Sequence, residues 1–156
     1  MSDVDKLREL NQLLEEKVIE RTQLLARAKR TWQSTFDAFV DPLSIVDRSM
    51  RIVRTNLAFA HHRGIDVRQV TGKLCHQVLF DRESVCQGCP VAQTFASGEA
   101  GQGELEQDPR GRIFRMWSVP LQVDEDQESE AMDQAVCHYK DVTDEIELTR
   151  KMIQTE

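Results

Sequence analysis

The chain has 156 residues, enough for one domain of ordinary size with length to spare. It is 40% apolar, 30% charged and 6% aromatic, with 27 acidic against 20 basic residues and a formal charge of -7. No uninterrupted apolar run exceeds four residues, which argues against a membrane span and a secretory signal; the acidity argues against a nucleic-acid module. Seven Gly and four Pro are too few for a low-complexity chain, and four cysteines without an export signal do not read as a disulfide scaffold. In a reducing cytoplasmic compartment, a spaced set of that kind is metal-binding, redox-active or plain core.

Residues 1–35 contain no Gly, Pro or Cys and are dense in Leu, Glu, Lys, Arg and Gln. Alternating steps of three and four from Val4 reach Leu7, Asn11, Leu14, Val18, Arg21, Leu25, Ala28, Trp32 and Thr35, a 3.5-residue repeat. Acids and bases nearly cancel here, so net charge does not keep two copies apart. The pattern predicts a parallel two-stranded coiled coil with Leu7, Asn11, Leu14, Val18, Leu25, Ala28 and Trp32 in its seam. The alternative is a lone helix packed on its own domain.

Asp41-Pro42 breaks the helix, because Pro disfavours a helical conformation at the residue before it. Strands are predicted over 42–47 and 51–55, joined at Arg48-Ser49. Asn56 is placed to cap a helix over 57–62 that ends at Gly64. Further short helices are expected from Val67, over 73–80, and over 90–96, the last stopped at Gly98. Residues 101–107 alternate weakly and read as a strand, followed by the turn Pro109-Arg110-Gly111. Residues 113–121 form the next strand, with Phe114, Trp117, Val119 and Leu121 as expected core. Asp124 to Glu130 carry five acids and no base and read as a solvated loop. The last strand is expected within 131–142 and a helix over 143–155, where a coiled coil resumes. The fold class is α+β: a five-stranded antiparallel sheet with small helices on one face, between a long N-terminal helix and a C-terminal one.

That order resembles PAS sensory domains. Residues 36–43 (FDAFVDPL) look like the family's entry into its first strand, and residues 51–56 like its second strand and the Asn that follows. Asp141-Val142-Thr143-Asp144 resembles the segment by which such domains pass into a signalling helix. Residues 14–22 are similar to the linker preceding PAS domains in bacterial sensor histidine kinases, and residues 145–156 to the entry into the kinase's dimerisation helix. The resemblance implies three parts: residues 1–35 as a coiled-coil linker, 36–143 as the PAS domain and 144–156 as the start of the signalling helix. It also implies a parallel homodimer that relays a signal to C-terminal kinase domains, with Asp141 and Thr143 anchoring the junction. No triad, acid pair or phosphate-cradling loop is present, so no catalysis is assigned to these residues.

The concentrated chemistry lies at Cys75, Cys86 and Cys89. In Cys86-Gln87-Gly88-Cys89, Gly88 permits a tight turn that points both sulfurs one way, which suits a metal ion or a reversible disulfide. A subset of PAS domains resembles the stretch from Gly72 to Pro90. Cys137 is the candidate fourth ligand, with His76, His61 and His62 as alternatives; four ligands suit zinc or an iron–sulfur cluster. Packing alone is the third reading, and Cys137 fits it best. The first expectation is no bound cofactor. Haem is disfavoured because no histidine is singled out, and flavin because its cysteine-bearing motif is missing. Phe59, Phe114 and Trp117 are candidate lining for a small ligand cavity. Alternative functions are a docking module that takes its signal from a partner sensor protein, with Asp124 to Glu130 as contact, and a cysteine-based redox or metal sensor.

Overall fold

The computed structural model describes residues 2–122 and 133–154, and the chain divides into two compact units, Met1–Ala38 and Phe39–Glu156. The first is a single helix, α1 (Asp3–Ala38), 36 residues long. Ser2 starts it: its hydroxyl accepts from the Asp5 N–H at 3.2 Å, and Asp3 and Asp5 set negative charge against the free amides of the first turn. The helix runs three residues past Thr35. Its apolar residues Val4, Leu7, Leu10, Leu14, Val18, Ile19 and Leu25 are all more than half exposed.

The second unit is a sheet with small helices over one face. Its elements in order are β1 (Leu43–Asp47), β2 (Ile52–Thr55), α2 (Leu57–Arg63), α3 (Val67–Val70), α4 (Cys75–Phe80) and α5 (Pro90–Ser97). Then come β3 (Gly101–Gln102), β4 (Glu106–Gln107), β5 (Ile113–Leu121), β6 (Gln134–Asp141) and α6 (Thr143–Gln154). The strand order is β2-β1-β6-β5-β3, all antiparallel, with β4 also paired to β5. The long connection between β2 and β3 carries α2 to α5 across the sheet, which lets the last strand lie centrally between β1 and β5.

Local chemistry sets the joints. Asn56 caps α2 through its Oδ1, which accepts from Phe59 N–H at 3.1 Å and also from Leu43 N–H at 2.9 Å, while its Nδ2 donates to the Asp41 carbonyl at 2.9 Å. One buried side chain thus fixes the start of the first strand to the start of the helix. At the β4–β5 turn, Asp108 Oδ1 accepts from the Arg110 and Arg112 amides, and its Oδ2 lies 3.0 Å from His62 Nε2 at the end of α2. The sheet sends Val46, Ile52, Phe114, Met116, Ala135, Cys137 and Tyr139 into the core, where Phe59, Val70, Leu79, Phe80 and Val91 meet them from the helices.

Three expectations need correction. The strand expected over 101–107 is two short pieces, β3 and β4, both on β5, so the fifth position of the sheet is interrupted. A Cβ on Gly103 would lie 2.6 Å from Pro90 Cδ, and one on Gly101 would lie 2.6 Å from the Pro90 carbonyl oxygen. These glycines let the start of α5 press on the strand, and the chain gives up its regular path there. The helix expected from Lys73 begins at Cys75, because residues 72–74 bond back to β2: Ile52 N–H donates to the Lys73 carbonyl at 2.8 Å. Finally, in β5 it is Phe114, Met116 and Ser118 that are buried, while Trp117 and Leu121 are half-buried and Val119 is exposed. The acidic loop 124–130 lies outside the described residues, as do Ala131, Met132 and Thr155.

Candidate functional site

Two places gather the chemistry. The first is the junction of β6 with α6. Asp141, the last residue of β6, accepts through Oδ1 from the Thr143 N–H at 3.0 Å and from the Thr143 hydroxyl at 2.5 Å. Its Oδ2 accepts from Arg112 Nε at 2.8 Å. Thr143 Oγ1 in turn accepts from Ile113 N–H at 2.8 Å, and Val142 N–H donates to the Ile113 carbonyl at 2.8 Å. The first turn of α6 is therefore stapled to the first residue of β5. Burial pushes the Asp141 carboxyl up, but the bonds from Thr143 and Arg112 outweigh it and hold it below its ordinary value. Asp141 and Thr143, the two residues the sequence analysis named here, are hydrogen-bonded to each other, and Arg112, which it did not name, joins them because the register places Phe114 opposite Asp141.

The second place is the cysteine cluster. Cys75 is the first residue of α4, Cys86 and Cys89 flank a turn that leads into α5, and Cys137 lies in the middle of β6; all four are free, buried and in one core cluster. Burial, and then the neighbouring Cys89 and Cys86, push the Cys75 thiol up to about 12. Cys86 is likewise pushed up to about 12, by burial first and then by the nearby Glu106 carboxylate and Cys89. Cys137 is raised well above its usual value by burial, against a hydrogen bond with Tyr139. These groups stay protonated at neutral pH. Among the described residues, no group of three or more His, Cys, Asp and Glu side chains is placed to hold a metal ion.

The remaining candidates are dispersed. His76 lies on α4 next to Cys75; its ring is lowered in pKa mainly by desolvation, and its buried Nδ1 has no hydrogen-bond partner among the described residues. His62 belongs to the Asp108 contact and His61 to the exposed end of α2. Phe59 and Phe114 are fully buried core: Phe59 meets Tyr139 edge-on at 5.8 Å, and Phe114 meets Phe80 at 6.2 Å. Trp117 does not line that core. It sits on the opposite face of the sheet, stacked on His138 at 5.2 Å, and His138 Nε2 lies 2.9 Å from Asp41 Oδ2. The seven predicted seam residues are all exposed on α1.

Comparison with known proteins agrees with this geometry. A family model described as "PAS fold" matches residues 36–147. No relative was found among curated proteins. Among solved structures, the chain is similar to the PAS domain of a protein from Colwellia psychrerythraea at 20% identity, with a TM-score of 0.56 over 78% of this chain and 98% of that one. It is also similar to the PAS domain of BvgS from Bordetella pertussis, at 18% identity and TM-score 0.55 over 85% and 98%. A PAS domain from a two-component sensor histidine kinase matches at 8% identity and TM-score 0.53 over 74% and 97%. Among the described residues, no helix is long and apolar enough to cross a membrane.

Proposed function

The chain belongs to the PAS-fold family, and from that premise we propose that it is a sensory and dimerisation module of a two-component histidine kinase. It works as a parallel homodimer through α1 and passes a change in its core to kinase domains joined beyond α6. The likeness to a PAS domain of a two-component sensor histidine kinase supports the class of protein. The observation that carries the relay is the Arg112–Asp141–Thr143 staple, since any displacement of β5 against β6 must pull on the first turn of α6. A helix that continues into a coiled coil responds in discrete packings, and a bias of a few kcal/mol between two of them is a sufficient signal.

The test requires no knowledge of the stimulus. The segment is fused in heptad register to the catalytic half of a histidine kinase, and four or seven residues are inserted after Thr149. The reading expects basal autophosphorylation to switch with four inserted residues and to return with seven, because seven restores the seam and four rotates it. Activity indifferent to the phase of the insertion would end the relay reading. A second reading, docking of a partner sensor protein, is favoured by the outward face of the sheet, where Val119 is 53% exposed beside Trp117. Replacing Val119 with Lys separates the two: it should abolish a docked signal and leave the insertion pattern intact.

A further inference from the structure

The turn between Cys86 and Cys89 has a geometry that the rest of the cysteine cluster lacks. The Cys89 N–H donates to the Cys86 carbonyl at 3.1 Å, and Gly88, third in the turn, holds φ at +68°. This is a type II turn, in which the first and last Cα atoms stand within about 7 Å of each other. A disulfide closes over Cα separations of roughly 4.4–6.8 Å. Cys75 and Cys137, by contrast, lie on separate elements, at the start of α4 and within β6. The turn is also clamped from outside. Gln93 Nε2 donates to the Gly88 carbonyl at 3.3 Å, and Gly103 lies against both Gly88 and Pro90. Between the two cysteines, Gln87 is exposed and Gly88 half-buried, so the backbone of the turn reaches the surface while the thiols point inward.

We infer that Cys86 and Cys89 are a reversible dithiol–disulfide pair, oxidised by a low-molecular-weight disulfide of the glutathione class, while Cys75 and Cys137 remain thiols. One thiol of the pair loses its proton to solvent and attacks one sulfur of oxidised glutathione, forming a mixed disulfide and expelling one glutathione thiolate. The other thiol then loses its proton to solvent and attacks the protein sulfur of the mixed disulfide, which closes the Cys86–Cys89 disulfide and releases the second glutathione thiolate. Two electrons leave the protein, and one oxidised glutathione becomes two reduced. The inference concerns the chemistry of the turn alone, so it stands or falls separately from the relay.

The experiment equilibrates the 156-residue protein anaerobically in glutathione buffers of increasing oxidised fraction, followed by acid quenching, denaturation and alkylation. The expected result is a fall from four alkylated thiols to two, with the tryptic peptide 83–110 recovered unalkylated and lighter by two hydrogens. Because Cys86 stays protonated at neutral pH, disulfide formation should accelerate as pH rises from 7 to 9. Cys86→Ser should abolish the two-thiol loss, whereas Cys75→Ala should preserve it. Four alkylated thiols at every ratio would overturn the proposal. So would a disulfide that includes Cys75 or Cys137, or a stoichiometric zinc ion protecting all four thiols.

Discussion

Asn56→Ala is the substitution whose cost follows most directly from the structure. The side chain is fully buried and makes three hydrogen bonds, to Leu43 N–H at 2.9 Å, Phe59 N–H at 3.1 Å and the Asp41 carbonyl at 2.9 Å. Alanine removes all three and offers nothing in return. The Phe59 amide is in the first turn of α2 and has no partner within the helix, and the Leu43 amide opens β1 beside it. Each hydrogen bond of this kind contributes about 1 kcal/mol net, and an orphaned buried amide costs at least that much. The sum is about 3 kcal/mol, which for a domain of this size lowers Tm by about 12 °C. Thermal unfolding followed by circular dichroism measures it. Hydrogen exchange adds a local readout: the amides of Leu43 and Phe59 should lose protection ahead of the rest of the sheet. Asn56→Asp is the informative partner, since it keeps the acceptor for both amides but turns a carboxylate toward the Asp41 carbonyl. Its loss at pH 7 should shrink on acidification, when the carboxyl protonates and donates there. A Tm within about 3 °C of the parent for the alanine variant would refute the reasoning that this one side chain joins β1 to α2.

Three other outcomes follow from the same structure. Gly103→Ala should cost about 1–3 kcal/mol, because its Cβ would meet the rigid Pro90 ring at 2.6 Å and the Gly88 carbonyl at 3.1 Å; urea unfolding measures it. Asp141→Ala should narrow its stability deficit against the parent as pH falls below about 4. The folded carboxyl is held below its unfolded value, so its contribution is full above that value and fades as it protonates, which unfolding curves at pH 7 and pH 3 compare. Leu14→Glu with Val18→Glu should convert a dimer into a monomer by sedimentation at tens of micromolar while leaving the circular dichroism of the sheet unchanged; a monomeric parent would refute the α1 seam.

Most of the fold was legible because punctuation and periodicity act locally. Asp41-Pro42, Asn56, Gly64 and Gly98 mark boundaries that depend only on neighbouring residues, and each falls at or beside an element end. The 3.5-residue repeat of α1 needs no partner to be read. What was illegible depends on pairing. Arg112 carries no pattern of its own; it joins the junction because β5 and β6 run antiparallel with Phe114 opposite Asp141. The contact between His62 and the buried Asp108 is of the same kind, spanning 46 residues of sequence. The glycine contacts that divide β3 from β4 are set by α5, a neighbour in space.

Trp117 shows how a sequence can mislead about which face is which. The run Ile113 to Leu121 is apolar at both parities, so hydrophobicity assigns the aromatic and branched residues to the core and Ser118 to the surface. Register keeps Phe114 in the core and reverses the rest. Ser118 pairs with Cys137, whose side chain is buried, and the serine hydroxyl is accommodated there by donating to Thr94 Oγ1 at 2.6 Å. A satisfied polar pair thus occupies the core at little cost, and Trp117, Val119 and Leu121 fall on the other face. The cysteines obey the converse. Cys137 enters the core by the same register that turns Trp117 out, and only Cys86 and Cys89 lie on a turn whose backbone reaches solvent. The parity of β6 thus decides the place of Cys137, while Cys86 and Cys89 owe theirs to the turn before α5, a distinction that spacing alone could not make.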